Sequence, residues 1–419
     1  VNIMATIVFH VDVNSAFLSW EAVYRLQHGE SLDLRTIASV VGGDPKTRSG
    51  IILAKSIPAK KYGIKTADTL VEAFKKCPTL VTVPPTYGLY TKCSQALVDI
   101  LKEYTPQIDR FSIDECFMNF SNMKCFDKSP LEMAEEIRER IYRELGFTVN
   151  IGVSSNKLLA KVASDFQKPN RVHTLYPWEI EEKMWPLPIG DLFMVGRATE
   201  PKLHRMGIYT IGDLAKSNKA LIESQLKKHG TTIWNFANGI DDSKFWSTKK
   251  ENIKGIGNST TTPKDILDAE TAYMYLLAIS EMVGMRLREK KRTCGLVSVS
   301  LRTSKFHNVS HQRQLSFQTN STQMIYEISK QLFDILWKGD AIRHIGIRIS
   351  ALQLDDNRQL SIFDPISVER DENLDKTIDT IRSKYGKTAI TRGKFLHTKV
   401  SPVIGGVGAD DYTMMKSYL

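Results

Sequence analysis

The run RFSIDECFMNF, residues 110–120, sets two acids side by side, Asp114 and Glu115, among apolar neighbours. Successive side chains of a regular strand point to opposite faces, so one of the two would have to turn inward. The apolar positions Ile108, Ile113, Cys116, Met118 and Phe120 predict instead two short strands meeting at the acids. A tight hairpin tip favours Asn-Gly or Asp-Gly, whose residues adopt φ > 0; Asp-Glu turns poorly and holds a cation well. For this stretch in isolation a solvated turn is an equally good reading. A third acid, Asp12, ends the apolar run TIVFHVDV about 100 residues upstream, where an acid can also simply cap the next helix. If the two strands are neighbours in one sheet, Asp12, Asp114, Glu115 and the carbonyl of Val13 converge on one rim. Hard oxygen donors of this kind suit Mg²⁺, which keeps several waters and takes the rest of its shell from phosphate. Two such ions, about 3.5–4 Å apart, activate an attacking hydroxyl and stabilise a leaving oxygen in phosphoryl displacement.

The elements that must position these groups follow from the pattern. TIVFHVDV reads as a strand buried on both faces, and Asn14 or Ser15 can cap the helix AFLSWEAVYRL after it. Short strands are expected at TIASVV and GIILA, then the basic segment KSIPAKKYGIK, a helix near 68–76 and a longer one over 86–104. LEMAEEIRERIYREL places Leu131, Ala134, Ile137, Ile141 and Leu145 on one helix face. TVNIGVS reads as a strand and SNKLLAKVASDF as a helix, so the first half is α/β or α+β. Pro-rich YPWEIEEKMWPLPIG marks a boundary, after which short helices predominate to about 240. There VGRATEPKLHRMGIYTIGDLAK resembles a helix–hairpin–helix, which aims backbone N–H groups at phosphate. From about 251 the order is β-α-β-β-α-β, that of a split ferredoxin-like unit.

A chain of 419 residues, 42% hydrophobic and 25% charged, is expected to form about three domains. No apolar run approaches the roughly 20 residues that span a bilayer, and the opening VNIMATIVFHVDV lacks the basic region and cleavage site of a signal peptide. Five cysteines without a CxxC pair fit reduced thiols in a cytosolic protein and argue against a structural zinc. Lys plus Arg exceed Asp plus Glu by 57 to 47. Between Gly284 and Arg313 eight basic residues accompany one acid, Glu289, which predicts a surface that follows phosphates. Arg286, Arg288, Lys290, Lys291, Arg302 and Lys305 are the candidate contacts to a nucleic acid.

The succession HVDVNSAF, GIILAKSIPAKKYGIKT, RFSIDECFMNF, IGVSSNKLLAKVASDFQKPN, VGRATEPKL, IGNSTTTPKDI and QLSIF closely resembles the Y-family of DNA polymerases, in its bacterial DinB/UmuC branch. The likeness runs from about residue 5 to 365, and SIDE followed some 50 residues later by SSNKLLAKVASDFQKPN is its most specific part. The resemblance implies an α+β multidomain, right-hand-shaped chain. Its ferredoxin-like palm would be 1–22 plus 84–175, with small fingers at 23–83 and a helix–hairpin–helix thumb at 176–247. A β-α-β-β-α-β little finger at 248–354 and a tail at 355–419 would complete it.

It also implies template-directed, low-fidelity nucleotide addition to a primer 3′-OH, with pyrophosphate released, typically across damaged template. By the matching motifs, Asp12, Asp114 and Glu115 are the catalytic and metal-holding acids of a two-Mg²⁺ site, joined by the Val13 carbonyl. Phe17 matches the steric gate that excludes a ribose 2′-OH, and Lys60 and Lys168 match the cations that grip the triphosphate. QLSIF resembles the peptide by which bacterial polymerases dock on the sliding clamp, with Gln359 hydrogen-bonding and Leu360, Ile362 and Phe363 filling an apolar groove. The expected partners are therefore primer–template DNA, deoxyribonucleoside triphosphates and the clamp. The sequence departs from the common family form at Ala54 and Ile57, where Thr or Ser and then Tyr are usual. Phosphate binding would then rest more on Lys60, Lys168 and backbone amides. Met194 and Arg171 stand where glycines are usual.

Overall fold

The first apolar run forms β1 (Val8–Val13), and every one of its residues is buried. It is followed by α1 (Ala16–Gln27), β2 (Ser39–Gly42), β3 (Ile52–Lys55), α2 (Ile57–Lys61), α3 (Leu70–Lys76) and β4 (Val81–Val83). Next come α4 (Tyr87–Tyr104), β5 (Ile108–Arg110), β6 (Glu115–Asn119), α5 (Pro130–Leu145), β7 (Val149–Ser154), α6 (Lys157–Asp165) and β8 (Val172–Thr174). Three helices, α7 (Glu200–Arg205), α8 (Ile211–Lys216) and α9 (Lys219–Ala237), precede β9 (Gly255–Ile266), α10 (Ala269–Glu289) and β10 (Arg292–Thr303). The chain continues through β11 (Asn308–Thr319), α11 (Thr322–Leu336), β12 (Ile342–Leu354) and α12 (Ile366–Tyr385). The computed structural model describes residues 6–43, 50–121, 128–241, 243, 253–355, 366–396, 398, 400 and 402. They divide into two units, one within 1–43 and 51–248 and one within 249–409.

In the first unit the main sheet has the order β5-β6-β1-β7-β8. Its first four strands are antiparallel with β6 and β1 central, the ferredoxin-like arrangement, and β8 adds in parallel at the edge. One face packs Phe9, Val11 and Val13 against Tyr90, Leu97, Leu101, Ile137 and Ile141 of α4 and α5. On the other, Val8 and Phe117 meet Ala160 of α6. Coverage on both faces explains the near-continuous apolar run of β1. Ala134, Ile137 and Ile141 of α5 are buried as expected, while Leu131, in the first turn, stays exposed. A second sheet, β3-β2-β4, closes over Val40, Ile52, Ile64 and Leu70. Leu203, Ile211, Leu214, Ile222 and Ile233 join α7–α9 in a helical core. Before them Met194 has φ 74°, so the left-handed turn a glycine would make is kept by methionine, at a cost of about 1–2 kcal/mol.

The second unit has the predicted β-α-β-β-α-β order and an antiparallel sheet β11-β10-β12-β9. A ferredoxin-like sheet places its first and third strands in the middle; here the second and fourth, β10 and β12, take that place. Residues Val297, Val299, Ile345 and Ile347 point toward α10 and α11. The described part of the tail, 366–396, belongs to this unit. Phe395 and Val400 join the same core, and α12 is tied to α10 by Arg382–Glu281 at 2.9 Å and Arg288–Asp379 at 2.6 Å. The expected clamp peptide 359–363 lies outside the described residues.

Candidate active site

Asp12, one residue from the end of β1, stands directly opposite Glu115, the first residue of β6. Cross-strand partners share a face, so both carboxylates project from the same side of the sheet. The Val13 amide donates to the Asp114 carbonyl at 3.1 Å, and Phe111 and Ser112 amides donate to the Glu115 carbonyl, which closes the turn that carries Asp114. Residues some 100 positions apart in sequence are thereby fixed on one rim.

Helix α6 supplies the cations. A Cβ on Gly152 would lie 1.9 Å from the Ala160 carbonyl, so only glycine lets α6 approach β7 this closely. That approach puts Lys161 Nζ 2.9 Å from Glu115 Oε1, between the rings of Phe111 and Phe193. The loop after α6 brings Lys168 Nζ to Asp12 Oδ2, and to Asp165 Oδ1 at 2.7 Å. Burial pushes the Asp12 carboxyl up to about 6 despite the Lys168 charge. It also raises Asp114, against the Ser112 hydroxyl that donates to Asp114 Oδ1 at 2.6 Å. Burial also acts against the charge on Glu115, yet Lys161, paired to it at 2.9 Å, holds the carboxyl below its usual range.

His10 is fully buried, and burial together with Lys161 lowers its pKa, which favours the neutral ring. The Ser164 hydroxyl donates to the Lys161 carbonyl at 2.7 Å, so it accepts from His10 Nδ1–H at 2.7 Å. The bare Nε2 then faces Glu115 Oε2 at 3.9 Å, beyond hydrogen-bond reach, and neither atom finds a partner among the described residues.

The donor set fits a hard divalent cation. It is all oxygen, burial acts against the charge on each of its three carboxylates, and Glu115 keeps an orphaned buried oxygen. In this conformation no three acidic, imidazole or thiol side chains among the described residues close into a ready cage. Asp12 turns instead to Lys168, whose ammonium occupies the place of a counter-cation, and Glu115 to Lys161.

Phe17, in the first turn of α1, is half-buried and stacks on Tyr90 with centroids 4.5 Å apart. Asn14, expected as a helix cap, bonds instead to Asn150 and to the Asn170 amide. Ser15 sits at the cap position without a side-chain cap bond. Lys60 is exposed in α2 and makes no side-chain hydrogen bond to the three carboxylates. It lies close enough to Lys55 to add to the burial that lowers that ammonium's pKa. Ile57 is exposed, and the nearby Ser56 hydroxyl is spent on the Ala59 amide and the Ile37 carbonyl, so it replaces neither missing donor.

The six basic residues expected to contact DNA do not form one patch. Arg288 is withdrawn from the surface: it pairs with Asp375 at 3.1 Å and Asp379, and its side chain is 8% exposed. Lys290 and Lys291 precede β10 while Arg302 and Lys305 stand at its far end, roughly 35 Å away along the strand. Arg286 bonds the Gly257 carbonyl at 3.2 Å. The open sheet face carries Ser298, Ser300 and Arg302 of β10 beside Arg348, Gly346 and His344 of β12, a polar surface with two guanidiniums. Arg348 was legible only through the period-2 alternation of IRHIGIRISAL.

A ferredoxin-like sheet whose central strands set Asp12 opposite Glu115, with Asp114 in the turn just before it, has the form of a polymerase-type palm. The model of the impB/mucB/samB family matches residues 11–165, that of the impB/mucB/samB family C-terminal domain matches 253–362, and the thumb-domain model of DNA polymerase-iota matches 190–241. DNA polymerase IV of Clostridium acetobutylicum is 46% identical over 393 residues, 94% of this chain and 99% of that protein. DNA polymerase IV 2 of Bacillus subtilis is 36% identical over 398 residues, 93% of this chain and 94% of that one. In fold the chain is similar to a solved Y-family DNA polymerase chimera, with a TM-score of 0.71, 21% identity, and coverage of 83% of this chain and 99% of that one.

The chain belongs to the DinB-like branch of the Y-family, the translesion DNA polymerases, and is a DNA-directed DNA polymerase. Membership brings DNA and nucleotides as substrates and dependence on a divalent metal ion. Among the described residues no helix is long and apolar enough to cross a membrane.

Proposed function

We propose that nucleotidyl transfer takes place on the rim formed by Asp12, Asp114 and Glu115. The observation that carries this is the register of β1 and β6, which sets Asp12 opposite Glu115 with Asp114 one residue before it. The three carboxylates and the Val13 carbonyl would hold two Mg²⁺ ions. Bound there, the ions supply activation of the primer hydroxyl and charge neutralisation on the leaving pyrophosphate. Lys168 releases Asp12 and turns to the incoming triphosphate, which Lys60 approaches from the fingers. Phe17 lies under the sugar and excludes a 2′-OH. Lys161 holds Glu115 charged and in place from behind.

The division of labour we propose is palm at 1–22 and 84–175, fingers at 23–83, thumb at 176–247 and little finger from 248, with α12 docked on that last domain. Duplex is held chiefly through phosphates by the thumb hairpin and the little finger. Arg286, Lys290, Lys291, Arg302 and Lys305 remain exposed enough to serve, and Arg348 joins them. Gln359, Leu360, Ile362 and Phe363 dock on the sliding clamp, and the protein works in the cytoplasm, where its template is.

Primer extension with dNTPs and Mg²⁺ tests the rim. Asp114→Ala abolishes extension and leaves primer–template affinity within several-fold; an Asp114→Ala protein that still extends primers refutes the assignment.

A further inference from the structure

Two buried asparagines that lie outside the carboxylate motif fasten the loop that carries Lys168. Asn150, in β7 opposite Asp12, is fully buried, and Asn14 is 8% exposed. Asn150 Nδ2 donates to the carbonyls of Ser164 at 3.0 Å and Gln167 at 2.8 Å. Its Oδ1 accepts from Asn14 Nδ2 at 3.1 Å and from the Arg171 amide at 3.3 Å. Asn14 Oδ1 accepts from the Asn170 amide at 2.9 Å. The orientation of both amides is fixed by this pattern: turning Asn150 over would aim its NH₂ at two donors and its oxygen at two carbonyls.

The pair is rigid at its base. The Asn14 amide donates to the Thr148 carbonyl at 3.0 Å, and the Asn14 carbonyl accepts from the Ser19 hydroxyl at 2.6 Å. Its grip brackets Lys168, with Gln167 held on one side and Asn170 and Arg171 on the other. Asn170 itself has φ 57°, a left-handed conformation that a non-glycine residue keeps only when its surroundings hold it. His173 Nε2, on the exposed side, lies 3.1 Å from the Gln167 carbonyl and adds one outer tie.

We infer that Asn14 and Asn150 are positioning residues that form an amide bridge from β1 and β7 to the 167–171 loop and thereby set where the Lys168 ammonium can reach. Lysine is a point charge on a flexible stem, so its delivery to phosphate depends on the placement of its backbone. A displacement of about 1 Å at such a group can cost on the order of 100-fold in rate. The side-chain hydrogen bonds of the bridge go to none of the three carboxylates. Its effect on the reaction rests on the reading of Lys168 as a triphosphate contact.

The test is a cycle of Asn150→Ala, Lys168→Ala and the double variant. Single-nucleotide insertion, primer–template affinity and amide hydrogen exchange over 166–172 are measured on the full chain. Asn150→Ala raises the dNTP KM about tenfold, the equivalent of one coupled polar contact. It leaves DNA affinity unchanged and speeds exchange at Asn170 and Arg171. The double variant is no worse than Lys168→Ala alone, because a misplaced lysine and a missing one lose the same contact. Losses that multiply in the double variant, or exchange over 167–171 that does not change in Asn150→Ala, overturn the inference. If Lys168→Ala by itself leaves the dNTP KM unaltered, the triphosphate reading fails, and the bridge stands or falls on the exchange measurement. Should Asn150→Ala not fold, Asn14→Ala removes only the bonds to Asn150 and Asn170 and carries the same expectations in smaller measure.

Discussion

Phe17 lies flat on Tyr90, with ring centroids 4.5 Å apart and planes 8° from parallel. Tyr90 cannot shift easily. It is fully buried, its hydroxyl donates to Glu21 Oε1 at 2.7 Å, and the Thr86 amide donates to that hydroxyl at 3.0 Å. The half-buried ring proposed to exclude a ribose 2′-OH is thus backed by a second ring locked in the core beneath the main sheet. Phe17→Ala should lower discrimination against ribonucleotides about 10- to 100-fold, the worth of one relieved clash of roughly 1–3 kcal/mol. Tyr90→Leu, which leaves the gate ring unsupported, should lower it by less. Ratios of kcat/KM for paired dNTP and rNTP insertion give the answer, and unaltered sugar selectivity in Phe17→Ala removes the gate.

The charge on Asp12 works against the fold and for the site. Burial raises its folded pKa from 3.8 to about 6, so the folded protein binds the proton more tightly than the unfolded chain does. The linkage sign is then negative: stability falls as pH rises through the interval from about 4 to 6, and the deficit persists above it. Two pH units correspond to about 3 kcal/mol, an upper figure for what Asp12→Asn returns to the metal-free protein at pH 8. Thermal unfolding without divalent ions should place Asp12→Asn above the parent. Added Mg²⁺ should stabilise the parent and not the variant, less so below pH 6, where proton and metal compete. A parent already more stable than Asp12→Asn without metal contradicts this.

How far the sequence could be read follows from what held each part together. The strand at 8–13, the turn acids and the helix at 130–145 are organised by apolar periodicity, which local sequence displays, and they were legible. The positions of Asp12, Asp114 and Glu115 relative to one another needed the register of β1 and β6, which only the family likeness supplied in advance. Helix α12 escaped notice because its fastening is ionic: Asp375, Asp379 and Arg382 pair with residues some 90–100 positions away, and charges in LDKTIDTIRSKY look like a solvated face. For the same reason the pairing of Arg288 with Asp375 and Asp379 does not show in the sequence. The amide bridge was hidden because asparagines in HVDVN and TVNIG suggest caps and turns.

Arg288 and Arg302 therefore separate in their behaviour although both belong to the same basic stretch. The Arg288 guanidinium meets Asp375 and Asp379 and donates to the Asn320 carbonyl at 2.8 Å and the Thr322 hydroxyl at 3.0 Å. Asp375 in turn accepts the Thr322 amide at the start of α11, at 2.7 Å. Truncating the arginine leaves the Asp379 carboxylate without its partner and Asp375 with only the Thr322 amide and Arg392 at 4.0 Å, a loss of about 3 kcal/mol. Arg288→Ala should lower the urea midpoint of the second unit and release α12 to proteolysis, with the salt dependence of DNA binding unchanged. Arg302, exposed on the open sheet face beside Asn308, should do the reverse: Arg302→Ala keeps the fold and reduces the slope of log affinity against log salt by about 1. An Arg288→Ala protein of parental stability with a flattened salt slope would return that residue to the DNA-binding surface.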